Sequence, residues 1–208
     1  MSYSLEDKER GFTLIELLIG MAVGLIVLGA LASTFIIQSK SYDVQEQLAE
    51  MVQTARAAMD MISREVRMAG YDPSLASTGI VGIPWNTGQL QILADFRGDN
   101  NGPPVDPPDG LPNDPNENVI YTYDATNDRI DRNTGSGAQP FAENIQAFTF
   151  QYLEADGVTT ATSSADIRQI RLTITARTSK PDPDYDLYSG YRRYTLISVI
   201  TPPNLDMP

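Results

Sequence analysis

The chain has 208 residues, 27 acids against 15 bases, a formal net charge of -12, and neither cysteine nor histidine. The acidic balance disfavours nucleic acid as a partner, because gripping phosphates needs a basic face. The missing cysteine excludes disulfide staples, and the missing histidine removes a common metal ligand, general base and pH switch. Length and an apolar content of 41% suit one compact domain plus a membrane segment.

A charged leader (Glu6, Asp7, Lys8, Glu9, Arg10) gives way at Gly11 to an apolar run that continues to about Ile37, with Glu16 as its only charge. A run of roughly 20 or more apolar residues can cross a bilayer as a helix. A carboxylate inside it costs about 2–3 kcal/mol near the helix centre unless it finds a partner. Phe12 and Glu16 are four apart and share a helix face, and an α-amino group freed at Phe12 would be largely cationic at neutral pH. Such an amine can meet Glu16 within one chain or, in a stack of staggered parallel helices, across chains. Two plainer readings compete. Ala30-Leu31-Ala32 resembles a signal-peptide cleavage site, although a signal's apolar core gains nothing from an acid. The run also fits a single-span anchor in which the acid is incidental. In both, replacing Glu16 by Gln should have no consequence.

Between residues 41 and 69 the apolar positions Val44, Leu48, Met51, Val52, Ala55, Met59, Ile62, Val66 and Ala69 recur mostly at steps of three and four, with charged and amide residues between them. No turn cluster separates this amphipathic stretch from the apolar run, so the pattern predicts one helix over about residues 13–69. Gly70-Tyr71-Asp72-Pro73 supplies its stop.

The remainder reads as strands joined by polar loops: 90–94, 119–123, a turn at 124–128 leading into 129–132, then 142–153, 167–177 and 191–201. In the two longest, Phe148, Phe150 and Tyr152 share one face, as do Ile170, Leu172, Ile174 and Ala176. An antiparallel sheet with one apolar face needs a cover, and the stripe from Val44 to Ala69 is the available one. The segment 95–118 is rich in hard oxygen ligands (Asp95, Asp99, Asn101, Asp106, Asp109, Asp114). Its spacing fails the EF-hand pattern, with Arg97 and Pro108 at ligand positions, and a solvated loop is expected in place of a metal site. Arg97-Gly98-Asp99 carries no weight as a tripeptide motif. The acidic loop 180–186 is likewise expected to face solvent. Catalysis is not expected, because the pairs Asp182 with Asp184 and Asp106 with Asp109 lie in Pro-broken loops, and Ser163-Ser164-Ala165-Asp166 has no histidine.

Gly11-Phe12-Thr13-Leu14-Ile15-Glu16, followed by an unbroken apolar helix, resembles the N-terminal signature of the type IV pilin-like proteins, which comprise pilins, minor pilins and type II secretion pseudopilins. The leader departs from the pattern in being more acidic than basic. The resemblance implies cleavage after Gly11 by a prepilin peptidase, N-methylation of Phe12, and recognition by Glu16 of a neighbouring subunit's terminal amine. Gly20 and Gly24 form a small-xxx-small pair that allows close helix packing. Glycines also lower helix propensity, so bending or local melting is expected over residues 20–29 in a packed filament. Ser63 to Tyr71, Ala142 to Tyr152 and the arginine-flanked strand 167–177 are similar to the PilW group of minor pilins, with the pseudopilin J group close in layout.

The implied fold is α+β of the type IV pilin kind: a leader (1–11), a transmembrane and filament-core half-helix (12–40), an amphipathic half-helix (41–70) packed on an antiparallel sheet, and a β-rich head (71–208). The implied function is a minor pilin that acts in pilus assembly or initiation, held in the inner membrane with a periplasmic head and then carried to the cell-surface pilus. Its implied partners are the prepilin peptidase, other minor and major pilins and the inner membrane, with no cofactor or metal. The alternatives are a type II secretion pseudopilin and, from another class, a membrane-anchored module binding a ligand through residues 95–118.

Overall fold

The computed structural model describes residues 11–74, 80–96 and 108–205. Helix α1 runs without interruption over Leu14–Met68, and seven strands follow: β1 (Leu90–Leu93), β2 (Asn118–Asp124), β3 (Arg129–Asn133), β4 (Ala138–Ala142), β5 (Ile145–Leu153), β6 (Gln169–Arg177) and β7 (Arg193–Ile200). The fold class is α+β. The chain divides into two compact units, residues 1–46 and residues 47–208, with the boundary inside α1.

In the first unit the apolar side chains have nothing of their own chain to pack against. Every large apolar residue from Phe12 to Ile37 is more than half exposed, and this part of α1 is long and apolar enough to cross a membrane. Its hydroxyls are satisfied locally: Ser33 Oγ donates to the Gly29 carbonyl and Thr34 Oγ1 to that of Ala30, both at 3.0 Å. Lipid offers no hydrogen-bonding partner, so a hydroxyl there must bond to its own helix. The helix is continuous through Gly20, Gly24 and Gly29.

In the second unit the amphipathic stripe becomes the core face of α1. Met51, Ala55, Ala58, Met59, Ile62 and Val66 are buried, while Leu48 and Val52 at the near end are only partly covered. Full burial of a side chain the size of Ile62 contributes about 2–3 kcal/mol, so this face supplies much of the unit's hydrophobic stabilisation. Gly70, at φ 76, takes the left-handed conformation that ends the helix, and its N–H donates to Leu93 O at 2.8 Å.

The predicted single sheet is two: a four-stranded one in the order β1-β2-β3-β4 and a three-stranded one in the order β5-β6-β7, antiparallel throughout. The expected strand over 142–153 is broken at Glu143-Asn144, where Asn144 adopts a positive φ of 57 and passes the chain from one sheet to the other. Strand β4 before the break has no apolar alternation: only Ala142 of its five residues is buried, so periodicity could not reveal it. A bulge between Ile145 and Ala147 then shifts the phase of β5, which lets both Ile145 and Phe148 point inward. Strand β6 follows the sequence pattern closely, with Ile170, Leu172, Ile174 and Ala176 buried in strict alternation. All of these residues join one hydrophobic cluster with the helix stripe and with Leu90, Val119, Tyr121 and Ile130.

Candidate assembly site

Gly11, Phe12 and Thr13 precede the helix as exposed, non-helical chain, and Phe12 is 89% exposed. The Gly11–Phe12 bond therefore lies on accessible backbone, the kind of segment proteases cut. Four residues on, Glu16 is not the unpartnered acid that the sequence suggests. Its Oε2 accepts the Thr13 backbone N–H at 2.9 Å and the Thr13 hydroxyl at 2.8 Å, and the Glu16 N–H points back to Thr13 Oγ1 at 3.3 Å. This is a capping box, in which an N-terminal Thr and a Glu three residues later satisfy each other's backbone donors. The signal is present in the sequence as Thr-x-x-Glu ahead of an apolar run. The box gives this carboxylate a partner within its own chain. It also holds Oε2 in place, and among the described residues no hydrogen bond reaches Oε1.

Cleavage after Gly11 leaves both members of the box intact, because the amide donated by Thr13 belongs to the Phe12–Thr13 bond. The new amine would sit one residue before the cap. Gly20 and Gly24 face open space, with no atom within 4 Å of a Cβ built on either, so their small size serves nothing inside this chain.

In the head, a charged network joins α1 to the first sheet. Glu65 Oε1 accepts from Arg132 at 2.6 Å and Glu65 Oε2 accepts the Tyr121 hydroxyl at 2.5 Å. Burial, reinforced by the Glu65 carboxylate, pushes the Tyr121 phenol far above its ordinary range. For Arg132 burial is the largest single effect and works against the charged form, but the hydrogen bond and charge of Glu65 together with Tyr121 outweigh it and the guanidinium is raised. Glu65 and Arg132 line a cavity of about 270 Å³ together with Met68, Ile92, Phe96 and Glu117. The Glu117 carboxylate accepts the N–H groups of Phe96 and Asp114 at 2.8 and 3.0 Å.

Several loop expectations are corrected here. Asp95 and Glu117, read as parts of a solvated loop, are 0% and 1% exposed. Asp95 Oδ2 accepts the Gly110 N–H at 2.6 Å, so these acids organise the backbone on either side of the segment. Asp99, Asn101, Asp106 and the Arg97-Gly98-Asp99 tripeptide lie outside the described residues. In the loop 180–186, expected to face solvent, Asp182 is buried, binds Arg192 at 2.8 Å and accepts the Asp184 backbone N–H at 3.0 Å. Ser163 Oγ donates to Asp166 at 2.7 Å, and Ser164 Oγ accepts the Trp85 N–H at 2.7 Å; both are local structural bonds.

Residues 7–32 match the prokaryotic N-terminal methylation motif. The match spans Gly11, Phe12, the capping box, Gly20 and Gly24. Among solved structures the chain is similar to a type IV-like pilin from Thermus thermophilus at 16% identity and a TM-score of 0.40, covering 76% of this chain and 96% of that one. No curated protein sequence matches the chain.

Proposed function

We propose that this chain is a minor pilin: a membrane-anchored precursor cut after Gly11, methylated at Phe12 and assembled through its N-terminal helix into a type IV pilus, where it serves assembly or initiation. The observation that carries the reading is the fixed Glu16 carboxylate, one helical turn from the scissile position on the exposed apolar stretch of α1. An exposed apolar surface of this extent needs lipid or other protein against it. A carboxylate held at its rim offers a cationic amine both charge and a free oxygen. The methylation motif over residues 7–32 supports processing at this site. Membrane anchoring before assembly, a periplasmic head and display on the cell surface belong to the same proposal, as does membership of the PilW group. The chain acts as a substrate of processing enzymes, and Glu65, Asp95, Glu117 and Asp182 in the head are engaged in structural bonds.

Mass spectrometry of the N-terminus from native cells tests it. The expected product begins at Phe12 and carries one additional methyl group, and a chain that retains its first residues or begins beyond Ile37 would refute the proposal. Glu16→Gln should still be cut and methylated but should fail to enter filaments. Incorporation at the wild-type level would remove Glu16 from the mechanism.

A further inference from the structure

The two sheets have open sides, and three of them are closed off by features that natural sheets use against unwanted pairing. Strand β1 is four residues long, and its Leu93 N–H donates to Gly82 O. Strand β4 carries Pro140. The outer side of β5 is occupied where Gln146 O accepts the Tyr123 hydroxyl and Tyr152 O accepts the Ala161 N–H. Strand β7 has none of these protections. It runs for eight residues in unbroken register with β6, without proline, lysine or bulge.

The direction of its backbone groups follows from the ladder. Thr178 N donates to Arg192 O, and these two residues continue the register in which Arg177 faces Arg193. Antiparallel pairs alternate between bonded and non-bonded. Tyr194, Leu196, Ser198 and Ile200 therefore bond to β6, while Arg193, Thr195, Ile197 and Val199 turn their N–H and C=O groups outward. Among the described residues no hydrogen bond ends on those outward groups. The same residues expose their side chains, Ile197 at 64% and Val199 at 49%. At the strand's start the Arg193 guanidinium lies 3.7 Å over the Tyr188 ring, and among the described residues no carboxylate pairs with it. Its neighbours Arg177 and Arg192 are both paired, with Asp128 and Asp182.

We propose that β7 is a docking strand that accepts, antiparallel, an extended segment of another protein. That segment has apolar or β-branched residues at alternate positions and an acidic side chain where it passes Arg193. Main-chain bonds along the edge supply affinity, and the alternate side chains supply selectivity. Charge decides against a second copy: residues 191–203 contain no acid to offer Arg193, and each copy carries a net charge of -12. The inference does not rest on the pilin reading, since any head with this edge would present it.

The probe is an eight-residue peptide of alternating valine and threonine ending in glutamate, titrated into the full-length chain in detergent, with residue-resolved amide exchange as the readout. Exchange at Thr195, Ile197 and Val199 should slow at least tenfold on binding, while Tyr194, Leu196, Ser198 and Ile200 are protected with or without peptide. Ile197→Pro removes one outward donor at a position where an edge strand tolerates proline, and it should weaken binding at least tenfold with unchanged circular dichroism. Should that variant misfold, Arg193→Glu serves: it should weaken binding about fivefold and recover it with a lysine-ended peptide. Outward amides that stay unprotected would overturn the proposal. So would protection that rises with chain concentration alone, which would mean self-pairing.

Discussion

Arg132→Met isolates the energetics of the head's charged network. The substitution leaves Glu65, whose side chain is 17% exposed, with the Tyr121 hydroxyl as its remaining partner in the network. Stranding a fully buried charge costs about 3–5 kcal/mol, and the residual water access here reduces that to about 2–3 kcal/mol. Tyr121→Phe removes one hydrogen bond to a charged group and should cost about 1.5–3 kcal/mol. The triple variant Glu65→Leu, Tyr121→Phe, Arg132→Met strands nothing, and replacing a buried pair by apolar residues of similar volume is near neutral. It should therefore be more stable than Arg132→Met alone. Trp85 is the only tryptophan, and its indole N–H reaches Ala161 O at 3.3 Å, so its fluorescence reports unfolding of the head in urea. With a slope of about 2–3 kcal/mol per molar, Arg132→Met should lower the midpoint by about 1 M. A shift near zero, or a triple variant less stable than the single, would refute the assignment of this network as a buried, mutually dependent charge pair.

Gly82→Ala should destabilise the head by at least about 3 kcal/mol through overpacking, because the added Cβ would fall 2.3 Å from Gly70 N and 2.7 Å from Ala69 C, both backbone atoms; thermal unfolding near wild type would contradict the close approach. Burial raises the Tyr152 phenol from its usual value near 10 to about 12. Its contribution is thus complete below pH 10 and lost as pH climbs to about 12, and the stability gap between wild type and Tyr152→Phe should narrow across that window in urea titrations. Thr13→Val removes two of the three capping-box bonds but leaves the Thr13 N–H on Glu16. Filament incorporation should fall below wild type yet exceed that of Glu16→Gln in quantitative immunoblots of sheared pili, and equal incorporation by Thr13→Val and wild type would show that the box does not position the acid.

The long helix, its stop at Gly70, the apolar face of β6 and the N-terminal methylation motif were all legible in the chain. Each depends on local physics: residue spacing, a left-handed glycine, or a motif whose members lie within one helical turn. Other features required residues that are far apart in sequence. Nothing near Glu143-Asn144 announces that the chain changes sheet there, because the swap rests on one positive φ and on where two separate ladders end. Asp95, Glu117 and Asp182 sit in polar, proline-rich stretches that read as solvated. They are buried because Gly110, Phe96 and Arg192 bring donors to them, and such partnerships arise only on folding. Burial by long-range partners and the openness of one strand's edge are properties of the assembled sheets, so tertiary structure alone decided them, while short-range spacing had already determined the helix and its N-terminal motif.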